Sequence, residues 1–370
     1  MIPAQNAFSG QLPPSLGNLS QLLEFYADDN ELSGTIPASF GQLQQLQTVQ
    51  VDSNFLTGSL PAALCHLTAR LQYIMAYNNP GMRGSLPSCL GNLTALQGLG
   101  MYYSGVTGTI PASLGQLVHL QLLWLGQNSE LVGSIPAEIG NMKELKQLNL
   151  NYASLTGSIA ASLGQLTALT QCMIAENHLS GSLPAALGNW TEVTFLILYG
   201  NSLTGSVPRS LGQLTKLQLL FLNNNKLTGK IPLLLLTQAS GLLELQLQSN
   251  QLSGGLSEVF TAATQRALYY IDVSDNQLTG TLPAEAFQLP ELNTFVAVSN
   301  CFSGTLPETI CSNPALVSLI LDGLQTAPAC QKRLLPRTSS QSYSTLGSYN
   351  GHIPPCMFKM PNLTSLHLSG

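Results

Sequence analysis

A glycine recurs at an almost constant interval along most of this chain, and that regularity restricts the fold more than any other feature. Successive copies lie 24 residues apart in most cases and 25 or 26 apart in a few. A fixed period of this length is typical of a solenoid, in which each repeat packs against its neighbours and no repeat is stable alone. The repeated glycines are Gly10, Gly34, Gly58, Gly84, Gly108, Gly133, Gly157, Gly181, Gly205, Gly229, Gly254, Gly280 and Gly304.

The segment from Leu214 to Pro232, LTKLQLLFLNNNKLTGKIP, shows the frame LxxLxxLxLxxNxLxGxIPxxLGxL that most copies share. The LxL pair alternates, so both leucines point inward from a short strand, and stacked copies can pair their strands in a parallel sheet. The asparagine can bond backbone groups at the turn that follows the strand. Proline then ends the pairing, and the next stretch, ASLGQL in several copies, predicts a short helical or 3-10 turn.

The LxGxIP element resembles the plant-type class of extracellular leucine-rich repeats, found in receptor-kinase ectodomains, receptor-like proteins and polygalacturonase-inhibiting proteins. The resemblance covers residues 6 to 324. It implies an α/β repeat solenoid: a leucine-rich-repeat superhelix of about 13 to 14 copies of 24 residues, with a parallel sheet on its concave face and short helical turns on its convex side. Ala160 replaces the usual proline, and Ser104 and Ala153 replace the usual asparagine.

We expect a single leucine-rich-repeat solenoid over residues 1–370. It comprises a partial first repeat at 1–18, regular repeats at 19–324, an irregular loop at 325–350 and a resumed, truncated repeat at 351–370. The loop fits either a ligand-binding island or a degraded repeat. Because neither end shows a capping repeat, we expect a segment of a longer protein or an incomplete gene model.

Composition argues against several classes of function. Charged residues make up 8% of the chain and the net charge is −5, which disfavours nucleic-acid binding and a polybasic membrane patch. The sequence lacks an apolar run of about 18 residues and a secretory signal at its start. The histidines have no metal-ligand spacing, and no phosphate loop or nucleophile elbow occurs. These observations predict a protein that is not an enzyme and uses no metal and no cofactor.

The seven cysteines divide into one buried position and six that can pair. Cys172 occupies a leucine position of a strand, which predicts a buried free thiol. The connectivity of the others cannot be read from the sequence; the pairs that we favour are Cys65–Cys89, on adjacent repeats, and Cys311–Cys330, near the irregular segment. The alternative is six reduced thiols in a cytosolic protein.

Four N-x-[ST] sequons lie at one phase of the repeat, away from the strand face, and predict N-glycosylation. Together with the family resemblance, they favour an extracellular or cell-surface location that the chain reaches through the secretory pathway. The four asparagines are Asn18, Asn92, Asn189 and Asn362.

Aromatic residues are concentrated at the strand positions that point away from the core, which hold nine of the 11 tyrosines. Exposed apolar patches usually mark interaction sites, and tyrosine and tryptophan provide large contact areas at low entropic cost. The alternative is cross-strand aromatic packing that only stiffens the sheet. The predicted ligand-binding residues are Tyr73, Tyr77, Tyr102, Tyr103, Trp124, Tyr152, Phe195, Tyr199 and Phe221.

These patterns predict a non-enzymatic ligand-recognition module. The resemblance implies the extracellular segment of a leucine-rich-repeat receptor or receptor-like protein. We expect it to bind a peptide, a protein or a glycan on its aromatic concave face, with a co-receptor as a further partner. The alternatives are a secreted inhibitor of a cell-wall-degrading hydrolase and a structural or adhesive surface protein.

Overall fold

A computed structural model describes residues 6–257, 259–324, 330–333, 343–345 and 352–369 of the chain. The chain divides into two compact units, Met1–Ser180 and Gly181–Gly370. Both units repeat one supersecondary motif: a three-residue strand, a turn, a second short strand in most copies, and a 3-10 helix. The predicted repeat is therefore confirmed, whereas a single solenoid over residues 1–370 stays a prediction.

The main sheet of the first unit is parallel and contains one strand from each repeat. Leu123 pairs in register with Leu99 on one side and with Leu148 on the other, so equivalent residues of successive repeats lie side by side. The strands are Glu24–Tyr26, Thr48–Gln50, Tyr73–Met75, Gly98–Gly100, Leu122–Trp124, Gln147–Asn149 and Gln171–Met173.

The main sheet of the second unit has the same parallel register. Its middle residues, such as Leu220 and Leu245, are fully buried in the core. The strands are Phe195–Ile197, Leu219–Phe221, Glu244–Gln246, Tyr270–Asp272, Thr294–Val296, Ser318–Ile320 and Ser365–His367.

A second set of short parallel strands follows the turn after most of the main strands. The repeated glycine lies in or beside these strands with a positive φ, for example 75° at Gly108, a conformation that residues with a side chain rarely adopt. In the first unit the strands are Ser9–Gln11, Glu31–Gly34, Phe55–Leu56, Gly84–Ser85, Val106–Thr109, Leu131–Ser134, Ser154–Ser158 and His178–Ser182. In the second unit they are Ser202–Thr204, Thr228–Gly229, Gln251–Gly254, Gln277–Gly280 and Cys301–Phe302.

The predicted helical turns are 3-10 helices, and most begin directly after a proline, whose fixed φ suits the residue before a helix. One true α-helix, Leu233–Gln238, occupies the same place in its repeat. None of the helices among the described residues is long and apolar enough to cross a membrane. The 3-10 helices are Pro14–Asn18, Ala38–Gln42, Ala62–His66, Ser88–Asn92, Ala112–Gln116, Ala137–Asn141, Ala161–Gln165, Ala185–Asn189, Arg209–Gln213, Ala286–Gln288, Glu308–Ser312 and Pro355–Lys359.

Buried asparagines connect neighbouring repeats in each unit. The Asn128 side-chain NH₂ donates to the Met101 and Leu125 carbonyls, 2.8 Å away in both cases, and its Oδ1 accepts from the Ser104 and Val106 N–H groups at 3.0 Å. Ser104, where the frame expects asparagine, keeps the donor half of this role, because its Oγ donates to a carbonyl of the preceding repeat. In most repeats, one polar side chain therefore satisfies the backbone groups that the turn leaves unpaired.

The disulfides follow the phase of the repeat. Cys65 and Cys89 lie in adjacent 3-10 helices and are joined. The prediction that Cys311 pairs with Cys330 is wrong. Cys311 pairs with Cys356, which lies in the next 3-10 helix, and Cys330 pairs with Cys301. Cys172 is free and buried, and burial raises the pKa of its thiol.

The irregular segment contains a short antiparallel strand pair, Gln331–Arg333 with Tyr343–Thr345. The rest of the predicted loop at 325–350 lies outside the described residues, as do the first five residues of the partial repeat at 1–18. Residues 352–369 resume the repeat, and Ser365–His367 pairs in parallel with Ser318–Ile320.

Candidate functional site

The candidate site lies on the concave face, the side of the main sheet opposite the leucine core. Strand alternation separates the two sides within one strand: Leu123 is fully buried, whereas its neighbours Leu122 and Trp124 are half-buried. Six of the predicted ligand-binding residues belong to the first unit, namely Tyr73, Tyr77, Tyr102, Tyr103, Trp124 and Tyr152.

The central strand of this region, Gly98–Gly100, presents no side chain on the concave face. A β-carbon at Gly98 would lie 2.5 Å from the Met75 Cε and 2.7 Å from the Tyr73 Cδ1. A β-carbon at Gly100 would lie 2.7 Å from the Met75 Sδ. Because real β-carbon contacts are almost never this short, a side chain at Gly98 would force Met75 and Tyr73 to shift away from the backbone, and one at Gly100 would force Met75 to shift. The side chains of Tyr73 and Met75 therefore cover the backbone at the two glycines.

Across this glycine strand, Tyr77 and Trp124 meet. Their ring centroids are 6.2 Å apart and the planes are inclined at 66°, an edge-to-face arrangement. The strands that precede Tyr77 and contain Trp124 are not neighbours, since Gly98–Gly100 lies between them. Strands in a sheet are about 4.8 Å apart, so the contact spans roughly twice that spacing. The two rings can meet because Gly100, which lies between them, has no side chain.

Hydrogen bonds from the polar tips of these aromatic residues fix their orientation. The Tyr73 hydroxyl donates to the Gln97 Oε1 at 2.8 Å, and the Trp124 Nε1–H donates to the Gln147 Oε1 at 3.1 Å. Each acceptor belongs to the next repeat along the sheet. Residues held in this way lose little rotational freedom when they bind a partner, which favours affinity.

Tyr103 and Tyr152 occupy an unusual backbone position. Both lie at the residue before the asparagine position of the frame, with φ values of 51° and 54°. Asn, Asp, Ser, Gln, Glu or Gly fills this position in other repeats. A left-handed conformation is costly for a bulky residue, and such strain is concentrated at functional sites. Both side chains are nevertheless exposed, at 46% and 43%.

Phe195, Tyr199 and Phe221 belong to the second unit, where Phe195 pairs in register with Leu219 and Ile197 with Phe221. All three predicted residues are half-buried on the concave side of their strands.

Asp52, which the sequence reasoning missed, is the most unusual charged residue of the concave face. Its side chain is only 2% exposed, it accepts a hydrogen bond from the Tyr77 hydroxyl, and its Oδ1 has no hydrogen-bond partner. Burial, together with the nearby Asp28 and Asp29 carboxylates, raises the pKa of Asp52 from 3.8 to about 6. Burial and Asp52 also raise the pKa of Tyr77 to about 12. The position of Asp52 in the repeat could have revealed this residue, because Asp28, Asp52 and Tyr77 occupy the same position in three successive repeats.

The family model for the Leucine Rich Repeat matches residues 192–214 and 216–237. Together with the parallel strands, the 3-10 turns and the asparagine contacts, this match identifies the fold. The chain has the leucine-rich-repeat fold. A search of curated protein sequences found no match.

This leucine-rich-repeat protein is similar to solved structures of plant receptor ectodomains. It is 31% identical to PEPR1 in the PEPR1–AtPEP1 structure, with a TM-score of 0.74, over 86% of this chain and 48% of that one. It is 30% identical to the GASSHO1/SCHENGEN3 ectodomain from Arabidopsis thaliana, solved with CASPARIAN STRIP INTEGRITY FACTOR 2, with a TM-score of 0.65, over 87% of this chain and 44% of that one. This leucine-rich-repeat protein thus spans less than half the length of these two relatives.

A third similar structure is the Arabidopsis receptor kinase HAESA in complex with the peptide hormone IDA and the co-receptor SERK1. The identity is 25% and the TM-score 0.59, over 98% of this leucine-rich-repeat protein and 68% of that chain.

The remaining predicted sites of this leucine-rich-repeat protein lie away from the concave face. Asn18, Asn92 and Asn189 each end a 3-10 helix and are exposed, and Asn362 is also exposed. The glycosylation of these four asparagines stays a prediction. Within the part of the chain that the structure describes, no group of three His, Cys, Asp or Glu side chains is placed to hold a metal ion.

Proposed function

We propose that this chain is a non-enzymatic recognition module from the extracellular part of a leucine-rich-repeat receptor or receptor-like protein, and that it binds an extended peptide. In this proposal the contact surface of the first unit is the aromatic patch, defined as Tyr73, Tyr77, Tyr102, Tyr103, Trp124 and Tyr152. One observation carries the proposal: Tyr103 and Tyr152 remain exposed in a strained backbone conformation that smaller polar residues fill elsewhere.

The kind of ligand is proposed from the shape of the patch and from the similar structures. The backbone at Gly98 and Gly100 is covered by the side chains of Tyr73 and Met75, and the rings of Tyr77 and Trp124 meet beside it, so a ligand would contact these side chains. HAESA, to which this chain is similar, binds a peptide hormone together with a co-receptor. A peptide ligand and a co-receptor are therefore favoured over a cell-wall-degrading hydrolase.

An extracellular location follows the same reasoning. Three disulfides join residues of neighbouring parts of the solenoid, and disulfides persist in oxidising compartments. All four sequon asparagines are exposed and lie away from the concave face, so glycans there would leave the aromatic patch open to a ligand.

Replacing Tyr102, Tyr103 and Trp124 together by Ala tests the proposal, with peptide and glycan arrays as the source of ligands. We expect the unaltered chain to bind peptides and the triple variant to lose at least ~2–4 kcal/mol of binding free energy, because two or more hot-spot residues are removed. The matched control replaces three exposed apolar residues of the same unit that lie off the concave face, namely Phe55, Val118 and Val132. Binding only to glycans, or an affinity that stays within about twofold in the triple variant, would show the proposal to be wrong.

A further inference from the structure

The charge of the chain is distributed unevenly along the first unit. Residues 1–69 contain no lysine or arginine, and Arg70 is the first basic side chain. The same stretch contains five acidic residues, four of which occupy strand or turn positions on the concave side: Glu24, Asp28, Asp29 and Asp52. The concave face at this end of the unit therefore presents carboxylates without a basic residue from its own repeats.

The acidic residues are held side by side by the backbone. The Asp29 N–H donates to the Asp52 carbonyl at 3.1 Å, and the Ser53 N–H donates to the Tyr77 carbonyl at 3.0 Å. These bonds align Asp28, Asp52 and Tyr77 across three successive repeats. Like charges in such a row repel one another, and this repulsion contributes to the raised pKa of Asp52.

An independent observation indicates what this region lacks. The Asp52 carboxylate is almost completely buried, yet its Oδ1 has no donor. Buried polar atoms in proteins are nearly always hydrogen-bonded, so this carboxylate oxygen is an acceptor beneath the concave face that the described residues leave unsatisfied. Tyr77 supplies one hydroxyl and an aromatic face beside it.

A cavity over the neighbouring strands Glu24–Tyr26, Thr48–Gln50 and Tyr73–Met75 has a similar character. Its volume is about 330 Å³, and Glu24, Tyr26, Gln50 and Tyr73 are among its lining residues. It combines one carboxylate, amide groups and two tyrosine rings. Aromatic faces and carboxylates are the two features that attract a guanidinium or ammonium group.

We infer that the ligand of the concave face is basic, and that the acidic residues Glu24, Asp28 and Asp52, with Tyr26, Tyr73 and Tyr77, bind arginine or lysine side chains of that ligand. This inference rests on the proposed peptide-binding function and specifies the chemistry of its ligand. An arginine has five N–H donors in a planar fork that can bond a carboxylate while its plane stacks on a ring. A lysine supplies the same positive charge on a flexible stem.

Selection from a displayed library of random dodecapeptides tests the inference on the full chain. Three proteins are compared: the unaltered chain, the double variant Asp28→Asn/Asp52→Asn, and the control Glu130→Gln/Glu138→Gln. The control makes the same change in net charge with exposed residues of the same unit that lie off the concave face. A thermal melt by circular dichroism verifies that each protein is folded before selection.

We expect peptides selected on the unaltered chain to contain arginine or lysine at one position at least threefold more often than the starting library. The enrichment should persist in the control and disappear in the double variant. Replacing the selected arginine by citrulline, or the selected lysine by norleucine, should then weaken binding at least tenfold and shows which of the two residues binds.

The outcomes separate the inference from the function on which it rests. If peptides are selected and depend on the aromatic patch, but contain no excess of basic residues, the inference is wrong and the proposed function stands. Equal loss of enrichment in the double variant and the control also contradicts it, because net charge alone would then explain binding. If the unaltered chain selects no peptide, the proposed function itself fails.

Discussion

The two sides of each main strand carry different kinds of information. Leu99, Leu123 and Leu148 lie side by side on the core side and are interchangeable in type and environment. On the concave side the same three strands present Gly100, Trp124 and Asn149, which share neither size nor polarity. One set of alternate residues in these strands thus stabilises the fold, and we propose that the other set binds the ligand. Substitutions on the core and turn side should change stability, and those on the concave side should change binding.

The largest effect on stability is expected for Asn128→Ala, which tests the core and turn side. The substitution leaves the buried N–H groups of Ser104 and Val106 without an acceptor and several carbonyls without a donor. At about 1–3 kcal/mol for each unsatisfied buried group, we expect a loss of about 3–5 kcal/mol in urea unfolding. Asn141→Ala, an exposed asparagine of the same unit, should change stability by less than about 0.5 kcal/mol. Similar losses in both variants would contradict a special role for the buried asparagine.

An effect of intermediate size is expected for Asp52→Asn, which should stabilise the folded chain, whereas Asn128→Ala destabilises it. The folded-state pKa of Asp52 is raised from 3.8 to about 6, so ionisation is disfavoured in the folded chain and destabilises it as the pH rises through this window. The variant should be more stable than the unaltered chain by up to ~3 kcal/mol above pH 7, and by nothing below pH ~3.8. Thermal melts between pH 3.5 and 8 measure the difference. A gain that is independent of pH would show that the carboxylate charge is not its cause.

The smallest effect on stability is expected for Tyr103→Asn, which separates the two sides of the comparison most sharply. Asparagine tolerates the left-handed conformation better than tyrosine, so we expect the folded chain to gain about 0.5–1 kcal/mol while the affinity for a peptide ligand falls. Tyr103→Phe keeps the ring and should preserve both quantities approximately. If Tyr103→Asn lowers stability, the tyrosine is a structural residue of the turn, and the proposal that the aromatic patch binds a ligand loses its main support.

The sequence predicts the repeated part of the molecule well, because every element recurs and each copy supports the others. The inward LxL leucines, the 3-10 turns and the asparagine at the turn all follow from spacing alone, and the structure has them. The Cys311–Cys356 pair was missed because the interrupted segment hides the phase that places both cysteines in successive 3-10 helices.

The concave face is harder to predict, since it depends on how unlike side chains meet. Alternation predicts that Tyr77 and Trp124 face the same side, but not that the absence of a side chain at Gly100 allows their rings to meet. The position of Asp52 in the repeat can be read from the sequence, whereas the depth to which its carboxylate is buried depends on its neighbours in adjacent repeats. The positions of the aromatic residues could be predicted from the sequence, whereas the contacts between them could not.

The hydrogen bonds of the buried asparagines also bear on how the chain is made. Their longer bonds link residues 22 to 29 positions apart, as from Asn54 to Leu32 or from Asn276 to Leu247, and thus join a repeat to the one before it. A growing chain at the ribosome therefore needs only its next repeat, about 24 residues, to complete the contacts of the previous one. Synthesis and folding can proceed in the same direction and at the same pace, one repeat at a time.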